Sequence, residues 1–239
     1  MKTIKILILV SAIILSGNLF ASVSIKENWK QHKKENAVSK SKKSLENATS
    51  VFEDIMESHE NSIPESLLNE TQGIIIVPNS VKVAIGWGGK GGRGIALIRK
   101  DDGTWSNPVY IVLGEGSWGV QFGAEKSDIV LLFKDSDQIL KMAKADVSLG
   151  ADVEVVAGPV NSNKSAMTNI EFDAEIYSYA INKGLFAGVS INGGVLKSNN
   201  MFNQGAYVNE NISMNEIFFE METPANENIN NLHSILSKY

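Results

Sequence analysis

The densest candidate for chemistry in this 239-residue chain is the run Gly86-Trp87-Gly88-Gly89-Lys90-Gly91-Gly92-Arg93-Gly94. It satisfies G-x-G-x-x-G twice, from Gly86 and from Gly89. A dinucleotide site needs that motif to open a helix, whose N-terminus holds the pyrophosphate. Here the strand-like Ile95–Ile98 follows, and no Gly-Lys-Ser/Thr occurs anywhere, so no nucleotide is expected. What remains is two cations, Lys90 and Arg93, beside flexible backbone whose N–H groups can receive a phosphate headgroup. Lys183, in the turn sequence Asn182-Lys183-Gly184, offers a third. The plainer alternative is a glycine-rich hairpin whose residues take φ > 0 or let another backbone approach closely.

Catalytic groups are scarce. His32, His59 and His233 are far apart, have no HxH or HxxxH spacing, and read as exposed helix histidines. Ser117 in Gly-Glu-Gly-Ser-Trp-Gly comes near a nucleophile elbow, but a strand pattern rather than a helix follows it. Zero cysteine excludes a zinc-thiolate site, an iron–sulfur cluster, a cysteine nucleophile and a lipoprotein anchor. Glu171, Asp173 and Glu175 alternate along an expected strand, where they either gather a divalent ion or form a solvated face. With 27 acidic against 22 basic side chains the net charge is −5, which argues against a nucleic-acid binder. The chain therefore reads as non-catalytic, with no metal and no cofactor.

The segments that carry the remaining cations come first. Residues 1–21 have Lys2 and Lys5 ahead of the apolar run Ile6–Leu15, then small residues, the pattern of a secretory signal peptide. That pattern places the mature protein in the periplasm or at the outer-membrane surface. Residues 22–44 form a basic helical arm. Between Lys26 and Lys43 lie seven lysines, among them Lys30, Lys33 and Lys34, against Glu27 and Glu35, with Trp29 in their midst. Such an arm can lie on anionic headgroups, or it is simply the solvated start of a helix. The helix is predicted over 26–60, because Ala37, Leu45, Ala48, Phe52 and Ile55 recur at the period of one helix face.

Beyond it, Ser62 and Pro64 open a short second helix that Gly73 closes. Strand-like runs follow: Gly73–Val77 stopped by Pro78, then Val81–Trp87, Gly94–Arg99, Val109–Leu113, Gly119–Phe122 and Ile129–Phe133. A helix capped by Ser136 interrupts them, and strands resume at Ala151–Ala157, Phe172–Ala180 and Leu185–Ile191. A last helix spans Ala225–Leu236, and Trp105, just after a turn, is expected to be partly exposed. Together these elements predict an α+β fold: an antiparallel, β-rich sheet or partly closed barrel with a long N-terminal helix and a few short flanking helices.

Several blocks resemble one family. Ile176-Tyr177-Ser178-Tyr179, Lys183-Gly184-Leu185-Phe186-Ala187-Gly188-Val189-Ser190-Ile191 and Gly193 look like the signature of the SYLF domain, also called Ysc84-like or DUF500. Gly91-Gly92-Arg93-Gly94, Asp102-Gly103 with Trp105-Ser106, Gly119-Val120-Gln121-Phe122-Gly123 and Leu149-Gly150-Ala151-Asp152 resemble its other blocks in order. The resemblance covers roughly residues 45–210 and implies a domain over 45–239. It further implies lipid binding, notably of phosphoinositides in the eukaryotic members, where actin association also occurs, and it implies no catalysis. The expectation is thus a secreted, lipid-binding protein that recognises anionic phospholipid or phosphoinositide-like headgroups through Lys90, Arg93, Lys183, Lys30, Lys33 and Lys34. The alternative is an envelope structural or protein-interaction module without lipid specificity, its protein partners unknown; a hydrolase with an unrecognised site is the third reading.

Overall fold

A computed structural model of the chain describes residues 31–58, 62–85, 87–117, 122–143, 149, 154–160, 173–182, 185–188 and 194–239. Helix α1 covers 31–57 and crosses residues 44 and 45 without a break. Its buried stripe is Ala37, Leu45, Ala48, Phe52 and Ile55, as the helical period requires, while its lysines stay exposed. Helix α2 (Glu65–Glu70) starts at Pro64 without a side-chain cap, so Ser62 does not cap it. It ends at Thr71, whose hydroxyl donates to the Leu67 carbonyl at 2.8 Å, and Gly73 already belongs to the sheet.

Among the described residues the sheet has eight strands: β1 (Gly73–Ile85), β2 (Trp87–Ile98), β3 (Val109–Ser117), β4 (Phe122–Phe133), β5 (Val155–Ala157), β6 (Ile176–Asn182), β7 (Leu185–Gly188) and β8 (Gly194–Ser198). Seven run in the order β5-β6-β4-β1-β2-β3-β8, and β7 pairs with β6 beyond β5. Every pair is antiparallel except β5–β6, so the sheet is mixed where an antiparallel one was expected. Leu149, on the chain just ahead of β5, bridges Gly194 on the far strand β8, and helix α3 (Ser136–Ala143) touches β2, β4 and β8. The sheet is therefore curled around α3 into a half-barrel. The consecutive residues Ile74–Val77, Ile95–Ile98 and Val130–Phe133 are all buried, because both faces of the central strands are covered.

Two predicted breaks are absent. Pro78 does not stop β1; its missing N–H falls in a bulge, where the register shifts between Ile76 and Val81 against β2 and between Val77 and Ser80 against β4. Asn79 takes φ 49° there, and its N–H donates to Asp128 Oδ1 at 2.7 Å. The glycine run from Gly88 to Gly94 does not break the sheet either: β1 and β2 form the antiparallel hairpin, and the run lies within strand β2 where backbone approaches closely. Gly94 shows why. A Cβ at that position would stand 2.0 Å from the Ile76 carbonyl oxygen, so the bulged strand can close on β2 only where β2 has no side chain.

The remaining differences are local. Asp135 Oδ1, not Ser136, caps α3 by accepting from the Asp137 N–H at 2.9 Å. Strand β8, helix α4 (Asn200–Tyr207) and a π-helical turn at Glu216–Glu220 were not anticipated. The last helix, α5, starts at Glu227 with Asn226 as its cap and ends at Leu236 as expected. Trp105 is buried rather than partly exposed, with the Arg99 guanidinium 4.9 Å from its ring centroid. Of the expected strands, residues 119–121, 151–153, 172 and 189–191 lie outside the described residues.

Candidate functional site

Helix α1 and the sheet face formed by β1, β2 and β3 enclose a groove of about 640 Å³. From α1 it receives Lys40, Lys43, Ser44 and Asn47, which share one helix face at spacings of three, four and seven. From β1 come Pro78, Asn79 and Val81, from β2 Gly91, Gly92 and Arg93, and from β3 Val112, Leu113 and Gly114. Phe202 of α4 closes one side. The groove therefore has cations on one wall and at its floor, a mostly carbon lining elsewhere from Pro78, Val81, Val112, Leu113 and Phe202 with Asn79 beside them, and no carboxylate or imidazole in its described lining.

Helix α4 fixes Phe202 through a contact resembling strand pairing. Asn203 Oδ1 accepts from the Tyr110 N–H at 2.7 Å, and its Nδ2 donates to the Tyr110 carbonyl at 3.1 Å and to Ser198 Oγ at 3.0 Å. The Tyr110 and Phe202 rings then meet edge-on, 6.2 Å apart. The Arg93 guanidinium stands 5.8 Å from the Phe202 centroid, on the exposed end of this stack. Burial pushes the Tyr110 hydroxyl well above its usual range, so it stays neutral. Among the described residues Lys40, Lys43 and Arg93 have no ion-pair partner, whereas Lys42 pairs with Glu46 and Lys134 with Glu70.

The expected site residues distribute unevenly over this geometry. Arg93 lines the groove. Lys33 and Lys34 are exposed on α1 but line a second groove of about 590 Å³, shared with Met201, Gln204 and Gly205 of α4 and with Glu210. The two helices cross at Ala37 and Gly205, where a Cβ on the glycine would lie 3.1 Å from the Ala37 side chain. Lys90 sits in β2 opposite Lys82 and Glu115 in register. Lys30 and Lys183 lie outside the described residues. Sequence reasoning placed Lys40 and Lys43 in the basic run without singling them out; their face-sharing spacing was the available signal. Phe202 and Gly114 had none.

The other candidates end differently. His233 is half-buried, not exposed, with Nε2 2.9 Å from the Ser106 carbonyl oxygen, and burial lowers its pKa. His32 is exposed, and His59 lies outside the described residues. Asp173 and Glu175 precede β6 instead of alternating along it, and Glu171 lies outside the described residues. Among the described residues no three His, Cys, Asp or Glu side chains converge as a metal site would require, and no helix is long and apolar enough to cross a membrane.

A family model described as Ysc84, Las17-binding protein actin regulator, matches residues 114–239, more than half of the chain. The chain belongs to the Ysc84 family. The matched segment starts at Gly114 of the groove and includes Phe202, while Lys40, Lys43 and Arg93 precede it. A Xenopus laevis SH3 domain-containing YSC84-like protein 1 is 30% identical over 74% of this chain and 54% of its own length. An SH3 domain-containing protein of Schizosaccharomyces pombe is 33% identical over 61% of this chain and 34% of its own. The LAS seventeen-binding protein 3 of Saccharomyces cerevisiae is 31% identical over 56% of this chain and 30% of its own. The Ysc84 chain thus spans about half, or less, of the curated relatives it matches. These relatives overturn the expected periplasmic or outer-membrane address: they come from yeasts and a vertebrate, and the family is described by actin regulation. Residues 1–21, on which that expectation rested, lie outside the described residues.

Proposed function

We propose that this Ysc84-family chain is a non-catalytic module that docks on anionic lipid surfaces, with Lys40, Lys43 and Arg93 as the central anion contact. One observation carries the reading: three cations without ion-pair partners among the described residues border one groove whose remaining lining is neutral, mostly apolar or glycine with Ser44, Asn47 and Asn79 as its polar side chains. A catalytic pocket needs convergent acid, base or nucleophile groups, whereas an anion beside hydrocarbon needs only positive charge next to carbon. Lys33 and Lys34, one helix face away, add to the positive field, and Lys30 and Lys183 are proposed to extend it; Lys90, three residues before Arg93 in the unbroken register of β2, falls on the other sheet face by the strand's alternation and is not part of this contact. The proposed module covers 45–239 with a basic arm over 22–44, of which the described residues 31–44 belong to α1.

Attraction of this kind weakens as salt screens exposed charge. Co-sedimentation of the full chain with phosphatidylglycerol vesicles tests it. Pelleting at low salt that fades at high salt, with none on phosphatidylcholine, is expected; equal recovery on both lipids contradicts it. A second reading, a protein-interaction module, is favoured by the relatives named for binding Las17. A pull-down on a Las17-type protein that captures this chain while vesicles do not would support that reading instead.

A further inference from the structure

Three glycines of the sheet answer a steric demand. A Cβ at Gly73, Gly92 or Gly94 would stand 2.6, 2.4 or 2.0 Å from a neighbouring atom. Gly114 is different. It lies inside β3, its φ is not in the left-handed region, and nothing comes within 4 Å of where its Cβ would be. A glycine in a strand interior weakens the strand, so here neither backbone nor packing calls for one. Gly91 stands directly opposite it in register, where a Cβ would meet only the Leu113 carbonyl oxygen, at 3.4 Å. By the two-residue alternation of a strand, Val81, Gly91, Arg93, Val112 and Gly114 share one face.

The glycine pair therefore cuts a trough into the floor of the groove. Its sides are carbon, from Val81, Val112 and Phe202, and Val112 is 37% exposed although it is a large aliphatic residue. Its rim carries Arg93, Lys40 and Lys43. Building on the proposed lipid binding, we infer that the trough takes the hydrocarbon chain of one single-chain amphiphile whose phosphate head sits among these three cations. A chain laid there covers Val112 and gains the free energy of removing apolar surface from water. A phosphate monoester carries about −1.5 to −2 charge at pH 7, a closer match to three cations than a carboxylate's single charge. Any side chain at position 114 would occupy the chain's place.

Calorimetric titration of the full chain with octyl phosphate, kept below its micellar concentration, tests this. A single saturable site is expected, with inorganic phosphate, octanoate and octyl glucoside each at least about tenfold weaker. Gly114→Leu, shown by its melting curve to be folded, loses about tenfold or more of the octyl phosphate affinity. Val112→Glu, at an exposed position that leaves the core untouched, does the same and serves if Gly114→Leu fails to fold. Wild-type affinity in both variants, or inorganic phosphate or octyl glucoside binding as tightly as octyl phosphate, overturns the inference. Pelleting of the unmodified chain on phosphatidylglycerol vesicles reads the underlying proposal separately: vesicle binding without octyl phosphate binding sinks the trough alone, and loss of both sinks the two together.

Discussion

Arg93 on β2 and Phe202 on α4 face each other, guanidinium to ring, at 5.8 Å, and so join the glycine-rich strand to a helix more than a hundred residues further along the chain. An exposed cation over an aromatic face is worth about 0.5–1 kcal/mol. Arg93→Ala is therefore expected to cost the fold no more than about 1 kcal/mol in urea unfolding. Its effect on binding to phosphatidylglycerol vesicles is larger, a loss of about five- to tenfold, with Arg93→Lys recovering most of it. A loss of stability as large as the loss of binding would recast Arg93 as a structural residue.

The close approach of Gly94 to the β1 bulge predicts a severe defect from a single methyl group. In Gly94→Ala the Cβ meets the Ile76 carbonyl oxygen at 2.0 Å and the Val77 Cα at 2.9 Å, both backbone atoms that cannot swing away. Destabilisation of about 3 kcal/mol or more is expected in chemical denaturation. Gly103, at φ 81° with open space around it, is strained by the same substitution through its backbone alone, and about 1 kcal/mol is expected there.

Asn203 is buried and serves both backbone groups of Tyr110 with one amide. Asn203→Leu fits roughly the same volume but leaves the Tyr110 N–H without this acceptor, while its C=O keeps the Asn199 N–H at 2.9 Å, at a cost of about 1–3 kcal/mol. Because Phe202 is the adjacent residue, loosening of α4 reaches the groove. Hydrogen exchange at the Tyr110 amide measures this directly, and protection there falls in the variant.

Stability should also depend on pH through His233. Its Nε2 lies 2.9 Å from the Ser106 carbonyl oxygen, an arrangement the neutral Nε2–H tautomer satisfies by donating. Burial is the largest influence and lowers the pKa, the hydrogen bond to Ser106 opposes it, and the charge on Lys100 lowers it further. The fold thus favours the neutral ring. The contribution is complete above the unfolded-state value of about 6.5 and is lost as pH falls from there toward the lower folded value. His233→Gln keeps a donor for Ser106 without a titrating group, so its melting temperature should vary less between pH 7 and 5 than that of the unmodified chain.

Much of this architecture is legible in the residues alone. The stripe from Ala37 to Ile55 announces α1, and Ile74–Val77 announces a strand buried on both faces. The glycine run was harder. Its residues disfavour strands in isolation, and only the bulge around Pro78–Ser80, a contact made across the sheet, explains why β2 needs Gly92 and Gly94. Strand β8 and helix α4 are short, and both are held by contacts to β3 far earlier in the chain, β8 by its ladder and α4 by Asn203 with Tyr110, 93 residues apart. The site was half visible: the lysine run was plain, but which lysines face the sheet is set by the crossing of α1 and α4 at Ala37 and Gly205. His233 was misplaced for a related reason, since Ser106, 127 residues away, meets it, whereas Trp105 is covered by Arg99 across a local bridge that the turn signal at 101–103 did not reveal.

The most direct measurement is vesicle co-sedimentation of two charge-reversed chains side by side. Lys40→Glu with Lys43→Glu places two negative charges on the wall of the groove that Arg93 shares; Lys33→Glu with Lys34→Glu changes charge equally on the neighbouring groove. If the groove under α1 is the anion contact, the first chain loses phosphatidylglycerol binding and the second retains most of it. Equal losses in both would mean that net charge alone governs adhesion, and the groove would have no special part in it.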